Sequence, residues 1–232
     1  MSYTIVDQTD DFLLIDKSPG VSVHKDQQLA GLVMQVKQDL QLAALYPVHR
    51  LDRMTSGLLL LAKHQSAAAE LSRQFQSHRV EKYYLALSDK KPKKKQGLIK
   101  GDMLKARRGS WMLAKTQVNP AQTQFFSQSV TPGLRLFLLK PLTGKTHQIR
   151  VALKSLGAPI VGDARYHEQD GIARDRGYLH AYVLAFSCRG KRYRYRSVPT
   201  LGDLFVQAET RRIIDAWALP ESLAWPSVER TV

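Results

Sequence analysis

A single carboxylate, Asp52, stands between Arg50 and Arg53 in the stretch VHRLDRMTSGLLLLAK, Val48 to Lys63. The run LLLLA that follows fits a strand buried on both faces. A polar loop leading into such a strand carries its charge to the edge of the core. A carboxylate there is stable only if paired, and a neighbouring guanidinium favours its ionised form. An ionised, partly desolvated carboxylate is a nucleophile. The same residues serve a structural end equally well, as an ion pair or as an Asp bonded to backbone amides near Thr55, Ser56 and Gly57. Residue types and spacing leave both readings open. Ser56 with His49 does not make a hydrolase, because T-S-G is not the G-x-S-x-G elbow and no second acid lies at a comparable place. His49 and His147 belong to no i, i+4 pair and have no second ligand type beside them, so no metal site is expected.

The elements that must position Asp52 follow from hydrophobic patterning. YTIVDQ and DFLLID read as two short strands joined by a polar turn and followed by the breakers Pro19 and Gly20. Leu29, Leu32, Val33, Val36 and Leu40 recur at helical spacing and predict an amphipathic helix ending before Pro47. Ser66 is placed to cap a second helix bearing Ala68, Leu71 and Phe75, and VEKYYLALS returns as a strand. Further strands are expected at AQTQFFSQ, LRLFLLK, YVLAFSC and RYRYRS, with a last helix from about Leu201 to Trp217. Antiparallel pairs with helices inserted between them point to a mixed α+β domain rather than a doubly wound parallel sheet. The expected organisation is one domain over 1–218, built of two packed subdomains, with a tail at 219–232.

Charge narrows the partner. The 232 residues hold 35 Lys and Arg against 20 Asp and Glu, a formal net charge of +15, which favours a polyanion, nucleic acid first. No apolar run is long enough to span a bilayer and the N-terminus is not amphipathic, so a membrane partner is not expected. Cys188 is the lone cysteine, which excludes a disulfide framework and cysteine zinc sites and favours a reducing, cytoplasmic setting. Cys188 itself reads as a small buried strand residue. In the segment 89–115, the stretch from Lys90 onward carries ten bases and one acid, Asp102. They read as an exposed, mobile hairpin, either a solvated face or a basic arm laid along phosphates.

HRLDRMTSGLLLLAK closely resembles the signature of the RluA family of RNA pseudouridine synthases, in which HRLDxxTSGLLLxAK surrounds the catalytic aspartate. Three other segments fall in that family's order. DDFLLIDKSPGVSVH (Asp10 to His24) resembles its N-terminal motif, EKYYLAL its K-x-Y-x-A segment, and PLTGKTHQIRVAL its P-x-T-G-R-x-H-Q-I-R segment. GAPIVGDARY and YLHAYVLAF look like its later pattern, so the resemblance runs from Tyr3 to about Phe205.

The resemblance implies a mixed, mostly antiparallel sheet flanked by helices around a central RNA-binding cleft. It also implies isomerisation of uridine to pseudouridine within a ribosomal or transfer RNA stem-loop, by a monomer without cofactor or metal. Asp52 would then be the nucleophile, acting on the ribose anomeric carbon or on carbon 6 of uracil. Arg150 would pair with that carboxylate, and Tyr84 would stack on the target uracil. His49, Arg50, Arg53, Thr55, Lys82, Lys145 and His147 would line the substrate. Tyr83 and Tyr84 alternate in a strand, so only one of them faces that side. Lys145 stands where the family commonly has Arg, which replaces a bidentate fork by a point charge. The pattern begins at Tyr3 and so resembles short members lacking an added N-terminal RNA-binding domain. A catalytically silent RNA-binding protein on the same fold is the alternative, and the presence together of Asp52, Tyr84 and Arg150 argues against it.

Overall fold

The computed structural model describes residues 1–23, 31–168 and 172–226. Its strands are β1 (Tyr3–Gln8), β2 (Phe12–Lys17), β3 (Tyr46–Pro47), β4 (Ser56–Ala62), β5 (Glu81–Ser88), β6 (Gln96–Lys105), β7 (Trp111–Leu113), β8 (Pro120–Thr131), β9 (Leu134–Pro141), β10 (Leu179–Cys188) and β11 (Lys191–Arg196). Its helices are α1 (Leu32–Asp39), α2 (Gln65–Gln76), α3 (Gln148–Ser155), α4 (Asp203–Val206) and α5 (Ala208–Ala216). His24 and Leu29, named in the motif and helix above, lie outside the described residues. Two compact units form, Met1–Lys82 with His180–Pro199 and Tyr83–Leu179 with Thr200–Val232. No helix among the described residues is long and apolar enough to cross a membrane.

In the first unit β2 pairs antiparallel with β1 and β4, β4 pairs in parallel with the start of β10, and β10 pairs antiparallel with β11 from Val183 onward. All seven residues of β4 are buried, as the unbroken aliphatic run requires of a strand covered on both faces. On one face Phe12, Leu14, Leu58, Leu60, Leu184 and Phe186 pack with Ala67 and Leu71 of α2. Strand β11 alternates strictly: Tyr193 and Tyr195 lie half-buried against Phe12 and Phe186, and the intervening Lys and Arg face solvent.

Gly57 explains the small residue at the head of β4. Its φ is +102°, and a Cβ built there would lie 2.3 Å from the Ala181 carbonyl oxygen of the parallel neighbour. Gly57→Ala is therefore expected to lower stability by about 2–3 kcal/mol through strain and backbone displacement. Chemical denaturation of the two proteins measures it, and a loss within about 0.5 kcal/mol would contradict the close approach.

The second unit is an antiparallel series, β5-β9-β8-β6-β7. The basic segment forms a hairpin of β6 and β7, as expected; residues 96–102 pair along β8 as regular strand, while 93–95 and the hairpin tip at 104–109 are exposed. Two helix expectations are corrected. His64, not Ser66, caps α2, its Nδ1 accepting from the Ala67 amide at 3.3 Å, while Ser66 is a first-turn residue. The last helix breaks at Gln207, whose ψ of 142° separates α4 from α5.

Candidate active site

Asp52 is half-buried at the mouth of β4, and its turn is fixed from several directions. The Thr55 amide closes it by donating to the Asp52 carbonyl at 3.0 Å, with the Thr55 side chain buried. Arg53 and Gly20 exchange two bonds, the Gly20 amide to the Arg53 carbonyl and Arg53 Nε to the Gly20 carbonyl, each at 2.9 Å. Beneath them lies Lys17, 0 % exposed, its Nζ donating to the carbonyls of Ser18 (2.9 Å), Val21 (2.8 Å) and Arg53 (3.3 Å). A buried ammonium needs such partners, and three carbonyls supply them. The segment DKSPG thus serves as a brace that holds the loop after β2 against the loop bearing Asp52.

The other flank is pinned by Ser56 and His180, both buried, whose Oγ and Nδ1 lie 2.8 Å apart. His180 Nε2 lies 2.8 Å from the Ser197 carbonyl, which can only accept, so Nε2 carries the proton and Nδ1 accepts from Ser56. Ser56 therefore meets His180, not His49, and the pair locks β4 to β10.

His49 serves the same scaffold. Its Nε2 accepts from the Leu60 amide at 2.9 Å and its ring stacks on Phe75 with centroids 4.4 Å apart. Burial, with the charge of Lys82 as a lesser cause, pushes its pKa down to about 3. A histidine normally near 6.5 that stays neutral in the fold favours the unfolded state as soon as that state takes up a proton. Its contribution is present above about pH 6.5 and is lost as pH falls toward about 3. Stability should fall across that window by at most about 1.4 kcal/mol per pH unit. His49→Gln should flatten the slope, as read by denaturant melts at successive pH values; an unchanged slope would contradict a neutral His49. Lys82 is buried beside it, its Nζ 5.9 Å from the Phe75 ring centre, and burial lowers its pKa. Arg50 lies exposed on the surface.

In the second unit, Tyr83 is buried against Trp225 and beneath Lys140, while Tyr84 is half-buried opposite Leu139. The alternation expected of the pair is present, and Tyr84 is the more accessible of the two. The segment TGKTHQIR wraps onto α3. Gln148, buried, accepts from Thr143 Oγ1 (2.7 Å) and the Lys145 amide (3.0 Å), and donates to the Gln122 carbonyl and Thr123 Oγ1 (both 3.0 Å). His147 adopts a left-handed φ of 56° at the start of the helix. Its Nδ1 lies 2.8 Å from the Tyr166 hydroxyl, which also accepts from the Trp111 amide at 2.9 Å. Lys145 Nζ donates to Asn119 Oδ1 at 2.8 Å.

Arg150 is 7 % exposed, and its fork engages Asp163: Nε to Oδ2 at 2.7 Å and Nη2 to Oδ1 at 2.8 Å, with the guanidinium 4.9 Å from the Tyr166 ring centre. Asp163 also accepts from the Arg165 and Tyr166 amides at 3.0 and 3.3 Å. Gly162 before it has φ +74°, and a Cβ there would lie 2.0 Å from the Arg176 carbonyl oxygen. Sequence reasoning gave Asp163, Tyr166, Lys17 and His180 no role. The available signal was a lone acid inside the apolar run GAPIVGDARY.

Comparison with known proteins identifies the family. The RNA pseudouridylate synthase family model matches residues 11–155. An uncharacterized RNA pseudouridine synthase of Haemophilus influenzae is 51 % identical over 207 residues, 89 % of this chain and 92 % of that one. Ribosomal large subunit pseudouridine synthase C of Vibrio vulnificus is 34 % identical over 79 % of this chain, which spans only 61 % of that protein's length. Human RNA pseudouridylate synthase domain containing 1 superposes with a TM-score of 0.74 at 25 % identity, covering 94 % of this chain and 95 % of that one. A braced aspartate turn ahead of a buried strand, in a chain matched along most of its length, makes this protein a member of the RluA family of RNA pseudouridine synthases.

Proposed function

We propose that this enzyme, an isomerase of uridine in RNA, acts on a specific uridine of ribosomal or transfer RNA with Asp52 as its nucleophile. The observation that carries the assignment is the clamped turn. Lys17, Gly20, Thr55 and the Ser56–His180 pair fix the backbone of the turn that carries the half-buried Asp52. Such positioning removes the orientational cost of attack and supplies much of a catalyst's rate.

The reaction rearranges atoms already in the substrate. The bond from the base nitrogen to the ribose anomeric carbon breaks, the uracil turns, a bond to carbon 5 forms, and the proton at carbon 5 moves to the freed nitrogen. Attack by Asp52 on the anomeric carbon would hold the ribose while the base turns. Tyr84 is assigned to stack on the uracil and Arg150 to keep the reacting carboxylate ionised, the roles the family motif implies. Arg50, Lys82, Lys145 and His147 are assigned to phosphate or base contacts, Arg53 and Thr55 to shaping the loop that meets the nucleotide, and His49 to supporting it. A ribosomal substrate is favoured over transfer RNA by the relatives named ribosomal large subunit pseudouridine synthase C.

The experiment uses unmodified transcripts of large-subunit ribosomal RNA and of transfer RNA bearing tritium at carbon 5 of uridine, incubated with purified protein. Release of tritium from the ribosomal transcript alone is expected. Release from neither transcript would contradict the assignment.

A further inference from the structure

The second unit holds a cavity of about 550 Å³ lined by Asp102, Met103, Leu104, Trp111, Val118, Asn119 and the Gly144–Thr146 turn. Its walls are built. The Asp102 amide donates to the Thr116 carbonyl and its carbonyl accepts from the Ala114 amide, at 2.9 and 2.8 Å. Its carboxylate accepts from the Val118 amide (2.9 Å) and the Asn119 amide (2.8 Å), which folds the 114–119 loop over one side. The Val118 amide first, then the Thr116 side chain, the Asn119 amide and the nearby Lys145 charge, hold that carboxyl below the usual carboxylate range. Lys145 Nζ closes the opposite side on Asn119 Oδ1. Trp111 pairs with Lys105 in the hairpin, with Lys105 Nζ 6.0 Å from its ring centre, and its amide is tethered to the Tyr166 hydroxyl. That phenol also holds His147 and underlies Arg150.

We infer that this cavity is a second nucleotide site, which takes an unpaired guanine of the RNA substrate at a position other than the target uridine. The inference rests on the RNA reading above. The volume suits one nucleoside. The half-exposed indole of Trp111 supplies a stacking platform of the kind on which proteins lay splayed-out RNA bases. Asp102 decides between the bases. An ionised carboxylate only accepts, and each of its oxygens retains a lone pair beyond the backbone bond it already makes. Guanine alone presents two adjacent donors on its Watson–Crick edge, the ring N–H and the exocyclic amino group, spaced to meet both oxygens. Its O6 beside them suits the Asn119 amide or the Lys145 ammonium. Uracil turns carbonyl oxygens toward the same carboxylate and is rejected, so the cavity cannot be a duplicate of the target site. The bases of the flanking segment, Lys105, Arg107 and Arg108 among them, are exposed and supply phosphate attraction without sequence preference.

The test is selection from a pool of fully randomised RNA octamers on the intact protein, with sequencing of the retained fraction. Wild type should enrich guanine at one position about tenfold over the other bases, the range of one bidentate base contact. Trp111→Ala and Asp102→Asn should both lose that preference while retaining total RNA through the exposed bases. Two variants are used because Asp102→Asn also loosens the 114–119 loop, whereas Trp111→Ala leaves its bonds in place. Wild type that retains the pool without guanine preference, or equal guanine preference in both variants, overturns the second site and leaves the proposed function standing. Wild type that retains no RNA overturns both.

Discussion

Asp52→Asn is expected to abolish product formation, by about 10⁴-fold or more in rate, while RNA binding stays within about twofold of the parent. The amide has nearly the shape of the carboxylate, and the bonds that brace the turn are made by its backbone and its neighbours. Thr55 bonds the Asp52 carbonyl, Lys17 and Gly20 bond the Arg53 carbonyl, and Ser56 bonds His180. The variant should therefore fold as the parent does and lose only nucleophilicity. Single-turnover assay with saturating RNA separates this from weakened binding, since a binding defect would be relieved by more substrate and the loss of the nucleophile would not. Product from Asp52→Asn at a rate near the parent's would assign the chemistry elsewhere.

Asp163→Asn should have the second-largest effect, and it should act on stability and rate together. Asp163 is buried and accepts four N–H groups, two of them from the Arg150 guanidinium. Neutralising it removes the carboxylate that the buried Arg150 fork engages, a loss of about 3–5 kcal/mol. It also frees the Arg150 fork from its fixed plane, so the rate should drop even at temperatures where the variant remains folded. Pairing the change with Arg150→Met removes the guanidinium as well and should restore most of the stability without restoring activity. If the double variant were no more stable than Asp163→Asn, the bidentate pair would not be what holds this region.

The contrast between these residues shows what the chain reveals in one dimension. Asp52 is legible because everything that defines it is local: flanking arginines, a turn sequence, then an aliphatic run whose burial on both faces is written in its composition. The strands were legible for the same reason, and β11 most plainly, since its alternation survives intact in the fold. Asp163 was not, because its partner lies 13 residues away and the pairing exists only once α3 packs. Lys17 was hidden by its type: lysine in a short strand reads as solvent-facing, and only the convergence of three carbonyls makes its burial tolerable. The histidine near Ser56 in sequence is His49, whereas the one it meets is 124 residues away. The break between α4 and α5 carries no Gly or Pro at Gln207 to announce it. For Asp163, Lys17 and Ser56, pairing across the chain, and not composition, decides the outcome.

The central claim is that the chain makes pseudouridine at a defined position through Asp52. Its most direct test is to delete the gene, map pseudouridine in ribosomal and transfer RNA by carbodiimide-dependent reverse-transcription stops, and complement with wild type or Asp52→Ala. One stop should vanish on deletion, return with wild type and stay absent with Asp52→Ala. Persistence of every stop after deletion, or restoration by Asp52→Ala, would contradict the claim.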